Sequence, residues 1–295
     1  MPIPLRAVVS AGLAGIVLAG VCSAAVSGDP SAIPVRPEGG EDEAGWSKEK
    51  KLMALNAAAV AGIGAYGLRY WNYGEDKFHF VRERWFQRNS IHGGADKLGH
   101  AFSSQVAVVA YTALLEGWGY DRRRAAVNGA LSAWTSFFMM EVGDALSRHG
   151  FSAEDLTMDS LGVVIGYLRV RFPEFEKRVD YRVSYWPSYG AGKSDVDYAS
   201  DYSGYRYLLA FKGDGYDMTS STWLRHLELH AGYYTRGYQT LDEDHYGPPH
   251  RVVYGAVAVN LSSLLDRQDW HRTATVLHYY QVPFVFAPAA HRLDP

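Results

Sequence analysis

The stretch Gly93-Gly94-Ala95-Asp96-Lys97-Leu98-Gly99-His100-Ala101-Phe102 sets an acid, a base and an imidazole into an apolar, small-residue run. On a helix, Asp96 and His100 are i and i+4 and share one face. Two later stretches repeat the pattern. Glu141 and Asp144 are i and i+3 within Phe137-Phe138-Met139-Met140-Glu141-Val142-Gly143-Asp144. Asp155 and Asp159 are i and i+4 within Glu154-Asp155-Leu156-Thr157-Met158-Asp159-Ser160-Leu161-Gly162. Buried charges are costly unless paired or coordinated. The economical arrangement is three apolar helices that turn these pairs toward one another.

Working outward, the helix that opens near Ala95 runs to about Glu116, with Asp96 placed where a carboxylate helps satisfy the free amides of a first turn. Asp121-Arg122-Arg123-Arg124 opens the next helix, which ends near Ser147-Arg148-His149-Gly150, basic residues and a glycine as a C-terminus prefers. Ser152-Ala153-Glu154-Asp155 is a near capping box, with Asp in place of Glu, and its helix is stopped by Pro173. Upstream, residues 51–72 make a helix with no charge from Leu52 to Leu68. Its length approaches a membrane span, and its small residues allow close helix packing in a membrane or in a tight soluble bundle. Phe78 to Phe86 mixes aromatic and basic residues. It reads either as an amphipathic connector or as a segment lying on a membrane surface.

Beyond about Tyr181 the periodicity changes from helical to alternating. Leu227, Leu229, Ala231 and Tyr233 form one apolar face, and His226, Glu228 and His230 occupy the other. Tyr205 to Phe211, Val252 to Leu261 and Thr275 to Phe286 read as further strands, the last at an edge because of Pro283. Four or five strands fall short of the minimum of roughly eight for a membrane barrel. The fold class is therefore α+β: a Gly/Ala-rich bundle of about four helices followed by a small antiparallel β-sheet module, packed on the helices or facing a membrane. The division is 1–27 export signal, 28–50 flexible linker, 51–180 helical module and 181–295 antiparallel β module.

The export signal rests on Arg6, the apolar run Ala7 to Val21 and the small residues Ser23-Ala24-Ala25. The run is about 15 residues, short for a spanning helix of roughly 20, which favours cleavage over a retained anchor. The only cysteine, Cys22, follows Leu18-Ala19-Gly20-Val21, similar to a bacterial lipoprotein box, with Val21 where a small residue is expected. The linker is rich in Gly, Pro, Asp and Glu. Of the 295 residues 47% are hydrophobic, enough for a sizeable core, and the net charge of -3 excludes a general nucleic-acid binder. The 21 Tyr and 8 Trp suit β-structure or a membrane interface.

Asp96, Lys97, His100, Glu141, Asp144, Asp155 and Asp159 are the candidate catalytic or ligating residues. Three readings are open. Carboxylates with a histidine bind Zn, Mn or Fe when helices present them at i, i+3 or i+4 spacing. The same groups serve general acid–base chemistry when one carboxyl is raised in pKa by its neighbours. Or they form a polar network that only locks the helices. Lys97 suits a phosphate contact or an acid partner. His226-Leu227-Glu228-Leu229-His230 reads as a solvated polar strand face, with cation binding as the alternative. There is no phosphate-binding glycine loop, no Gly-x-Ser-x-Gly elbow, no cysteine nucleophile and no dinucleotide fingerprint.

These motifs resemble the YfiM-type family of predicted periplasmic lipoproteins, a domain of unknown function of Gram-negative bacteria. The likeness is carried by Gly93 to His100, Glu141 with Asp144, Gly150-Phe151-Ser152-Ala153-Glu154-Asp155 and Asp159-Ser160-Leu161-Gly162. The order of the motifs is also similar to the VanZ-like membrane family, where Asn commonly stands at the Asp159 position. The resemblance implies a location in the cell envelope, in the periplasm at the outer or inner membrane, and a shared polar helix cluster. It supplies no reaction and no cofactor. The function expected is that of an exported, membrane-associated envelope protein whose polar site binds or processes an envelope lipid or glycan. The alternatives are a structural envelope scaffold and a metal-dependent hydrolase.

Overall fold

The computed structural model describes residues 45–191, 200–239 and 242–294. The expected export signal and all but the end of the expected linker lie outside the described residues. The chain is mixed α+β, helical first and then a sheet, and forms two compact units. Residues 45–83 and 103–171 make a helical unit. Residues 84–102 and 172–294 make a sheet unit, so the Gly93–Phe102 motif goes with the strands.

The helical unit contains α1 (Lys48–Tyr70), α3 (Arg122–Asp144), α4 (Ala153–Arg171) and all but the first two turns of α2 (Ala95–Gly117). The local signals act as expected. Ser47 Oγ accepts from the Lys50 amide at 3.3 Å, so α1 starts at Lys48, within the end of the linker read from sequence. Asp121 caps α3 through the Arg124 amide at 3.1 Å. Ser152 caps α4 through the Asp155 amide at 3.1 Å. Ala107, Val108, Ala133 and Val163 form the buried core, with Tyr111, Phe137 and Val170 packed around them. Small residues let the helices approach. A Cβ at Gly129 would stand 2.6 Å from Thr112 Oγ1. Tyr73 fills the space over Gly67 of α1 and Gly143 of α3, where a methyl on either glycine would overlap its ring, and its hydroxyl donates to Met140 O at 3.1 Å. A short parallel pair, β1 (Phe80–Val81) with β2 (Phe151–Ser152), closes the end of the unit.

The sheet unit is a five-stranded antiparallel meander in the order β3 (Val179–Tyr185), β4 (Tyr205–Lys212), β5 (Leu227–Arg236), β6 (His250–Val259) and β7 (Phe286–Arg292). One expected strand is corrected. Thr275 to Phe286 is not a strand: His271–Leu277 is a helix, in which Thr275 Oγ1 donates to His271 O at 2.8 Å and Ala274 and Leu277 turn inward. The chain behind it holds the free edge of β3, with Val183 N donating to Tyr279 O at 2.9 Å and Gln281 N to Val183 O at 2.7 Å. The true last strand carries Pro288 and pairs only with β6, as an edge strand containing proline must.

Register sorts the sheet into two faces. Asp180 and Arg182 of β3, Leu208, Ala210 and Lys212 of β4, Glu228 and His230 of β5, and Tyr254 and Ala256 of β6 share the inner face. Leu208, Ala210, Tyr254 and Ala256 form its buried apolar part. Tyr181, Tyr207, Leu209, Leu229, Ala231, Val253 and Val257 share the other face. The expectation of a solvated polar face at Glu228 and His230 is corrected: those side chains are enclosed, Glu228 against Arg182 of β3 and His230 against Glu228.

Candidate functional site

In the sheet unit, Gly93 and Gly94 (φ +62° and +89°) turn the chain into α2 through left-handed conformations that favour glycine. A side chain at Gly94 would strike Phe86, and the Tyr233 hydroxyl donates to Gly93 O. The turn fixes the first helical residues, and Lys97 Nζ meets Asp96 Oδ2 at 2.8 Å with both side chains buried. The acid reading of Lys97 is thus realised in an adjacent pair. Tyrosines pack on this turn: Tyr181 Oη donates to Leu98 O at 2.8 Å, and the Tyr207 hydroxyl faces Gly99. Burial first, with neighbouring tyrosines and the Asp96 charge adding to it, pushes the Tyr207 phenol well above its ordinary value. His100 follows one turn on and is half-buried.

In the helical unit, α3 carries Glu141 and Asp144 and α4 carries Asp155 and Asp159. Glu141 is 1% and Asp155 5% exposed, and Asp159 is fully enclosed. Carboxylate oxygens of Glu141 and Asp155 lie within 4.8 Å of each other. Oxygens of Glu83 and Asp155 do likewise, so Glu83 joins the group. Ser152 links two of these residues. Its amide donates to Glu141 Oε2 at 3.2 Å, and its hydroxyl accepts from the Asp155 amide at 3.1 Å. Asp144 lies nearer Tyr73. Burial foremost, then the charges of Asp144 and Glu141, raise the Tyr73 phenol far above its usual range. Carboxylates this close attract cations, so the pairs Glu141–Asp155 and Glu83–Asp155 are the ones in this unit that could contribute ligands to a metal ion. Glu83 carried no signal in sequence, because it stands among arginines in an aromatic segment.

A second ionic group, unread from the sequence apart from Glu228 and His230, lies on the inner face of the sheet. Arg182 donates Nη2 to Asp180 Oδ2 at 2.6 Å, and Nη1 to Glu228 Oε1 at 2.8 Å and Gln281 Oε1 at 3.1 Å. Lys212 Nζ meets Asp180 Oδ1 at 3.0 Å, His278 Nδ1 stands 3.0 Å from Asp180 Oδ2, and His230 Nε2 stands 2.8 Å from Glu228 Oε1. The acids are matched by two fixed cations, which makes this a structural network rather than a cation site.

Helices and sheet thus define an α+β protein with enclosed ionic groups in both units. Residues 82–171 match the model of the family described as "Predicted periplasmic lipoprotein (DUF2279)". The match takes in Asp96, Lys97, His100, Glu141, Asp144, Asp155 and Asp159. It supports the periplasm as the compartment and the lipoprotein description, and that description names no activity. The VanZ-like similarity, drawn from motif order, is not shown by it. No curated protein and no solved structure matches the chain.

Proposed function

We propose that this is a membrane-associated envelope protein whose helical unit uses Glu141, Asp155 and Glu83 to bind the head group of an envelope lipid or glycan through a cation. The observation that carries this reading is the enclosure of Glu141 and Asp155 with carboxylate oxygens within 4.8 Å. Two such groups gain from a divalent cation, which would present a positive pole to a phosphate or sugar oxygen. Asp96, Lys97 and His100, on the motif that opens α2, are proposed as a separate polar group of the sheet unit. Hydrolysis of the bound group is the further step if the cation also activates water.

A second reading has its own observation. Ser152 ties Glu141 to the start of α4, which is what a scaffold locked by polar groups would use. Metal content separates the two. The protein is purified in detergent without chelators beside Asp96→Ala/His100→Ala and Glu141→Gln/Asp155→Asn. Near-stoichiometric metal in the wild type, lost in the second variant, supports the site. Absence of metal from all three rejects the cation and favours the lock.

A further inference from the structure

On β5 the polarity of the sheet is reversed. In an antiparallel sheet with one face in water, apolar side chains point to the core and polar ones to solvent. On β5, Glu228 and His230 are enclosed at 1% and 4% exposure, while Leu229 between them is 59% exposed. On β6 the exposed positions are Val253, Gly255, Val257 and Val259, every one apolar, and Val257 pairs directly with Leu229. Leu209 and Phe211 of β4 extend the exposed apolar area. Part of this face, around Tyr181 and Tyr207, is covered by the first turns of α2. The remainder has no cover among the described residues of this unit. Across it runs an open trough of about 580 Å³. Its floor is Ala231, Gly255 and Ala289, in register on β5, β6 and β7, with Leu209, Tyr233 and Val253 among its walls.

We propose that this outer face of β4–β7 docks on a lipid bilayer, with Leu229 and Val257 entering the acyl layer. Three observations choose lipid over water or a second copy. First, on β5 the exposed Leu229 between enclosed Glu228 and His230 repeats the apolar-out, polar-in alternation of strands that face hydrocarbon. The five strands of this sheet among the described residues are too few to close a spanning barrel, so the face is proposed to lie on the membrane rather than through it. Second, the loops at the Leu227–Val259 end of the face are joined by Asn260 N donating to His226 O at 2.8 Å. They expose Trp223 at 71% and Trp270 at 61%. Tryptophan is the residue that settles at the boundary between acyl chains and head groups. Third, Cys22 is followed by only the 23 residues 23–45 before Trp46. A lipid on that cysteine would keep the folded chain within about 80 Å of the bilayer. The inference deepens the membrane-association part of the proposed function and is independent of the acid cluster.

The test uses the full chain with Cys22→Ser and an environment-sensitive fluorophore on Leu229→Cys. A second preparation carries the label on Asn89→Cys, an exposed polar position of the same unit. Vesicles of phosphatidylethanolamine and phosphatidylglycerol are added. The expected result is a shift of emission to shorter wavelength and protection from iodide quenching at Leu229, with neither at Asn89. Leu229→Asp/Val257→Asp, both at exposed positions, should lower vesicle partitioning by about tenfold or more. No shift at Leu229, or equal shifts at both positions, overturns the proposal. A shift that needs no vesicles and grows with protein concentration also overturns it, and assigns the face to a second copy. None of these variants touches Glu141 or Asp155, so failure here leaves the metal measurement standing.

Discussion

Arg182 and Glu228 lie on strands separated by β4, yet the guanidinium donates to the carboxylate at 2.8 Å, with both side chains closed to solvent. Asp180, two residues before Arg182, takes the other arm of the same guanidinium at 2.6 Å. Burial works to lower the Arg182 pKa, and the charges of Asp180 and Glu228 outweigh it and hold the group above its ordinary value. The network satisfies charges that the sheet has drawn inward. Removing one partner leaves the others charged and enclosed, so Arg182→Met should cost about 3–5 kcal/mol. Exchanging Arg182 and Glu228 together for apolar residues of similar volume should cost less than the single change. Chemical denaturation of the three proteins checks the order.

Tyr73 makes a second, apolar lock. Its ring occupies the space over Gly67 and Gly143, so Gly143→Ala should overpack the junction of α1 and α3 and cost about 1–3 kcal/mol. The cause is the Tyr73 ring, so Tyr73→Leu in the Gly143→Ala background should recover part of that loss. Tyr73→Phe alone removes the bond to Met140 O and should cost about 0.5–1.5 kcal/mol. Thermal unfolding of the single and double variants separates overlap from bond loss.

The helical half was legible because its signals are local. Ser47, Asp121 and Ser152 cap where a capping residue should, and Pro173 stands just past the end of α4. The strands Tyr205–Lys212 and Leu227–Arg236 were legible from alternation alone. What alternation cannot state is which of two faces is covered. Glu228 and His230 read as solvated because the guanidinium that meets Glu228, that of Arg182, stands 46 residues away in sequence and reaches it only through strand register. Thr275 to Phe286 read as a strand because β-branched and aromatic residues dominate it, and helix packing through Ala274 and Leu277 overrode that preference. Glu83 joins Asp155 through tertiary proximity, which no spacing rule encodes.

Arg251 and Asp294 give the clearest dependence on pH. Asp294 accepts from Arg251 Nη2 at 2.7 Å, from Nε at 2.9 Å and from the Arg251 amide at 2.8 Å. The hydrogen bonds from the guanidinium, against some desolvation, hold the Asp294 carboxyl below its ordinary 3.8. A depressed folded pKa means that the unfolded chain binds the proton first as pH falls. The stabilising contribution is therefore complete above 3.8 and is lost as pH drops through the lower folded value. Thermal midpoints followed from about pH 6 to about pH 2 should show wild type losing its advantage over Arg251→Gln only below that ordinary value.

Ser152 offers a way to separate fold from site at the acid cluster. Its hydroxyl caps α4, so Ser152→Ala should cost about 1 kcal/mol, the usual worth of such a cap. Its amide bond to Glu141 is a backbone contact and survives that change. Glu141→Gln keeps an oxygen for the same amide and removes one of two neighbouring enclosed charges. If the carboxylates are held together for a ligand, relieving them should leave stability unchanged or raise it, as is common where a functional site is strained. If they are a lock, Glu141→Gln should destabilise by at least as much as the lost cap. Denaturant midpoints of Ser152→Ala and Glu141→Gln, measured side by side with and without chelator, distinguish these outcomes. The site reading requires that chelator lower the wild-type midpoint and leave that of Glu141→Gln in place, because only the wild type gains stability from bound cation.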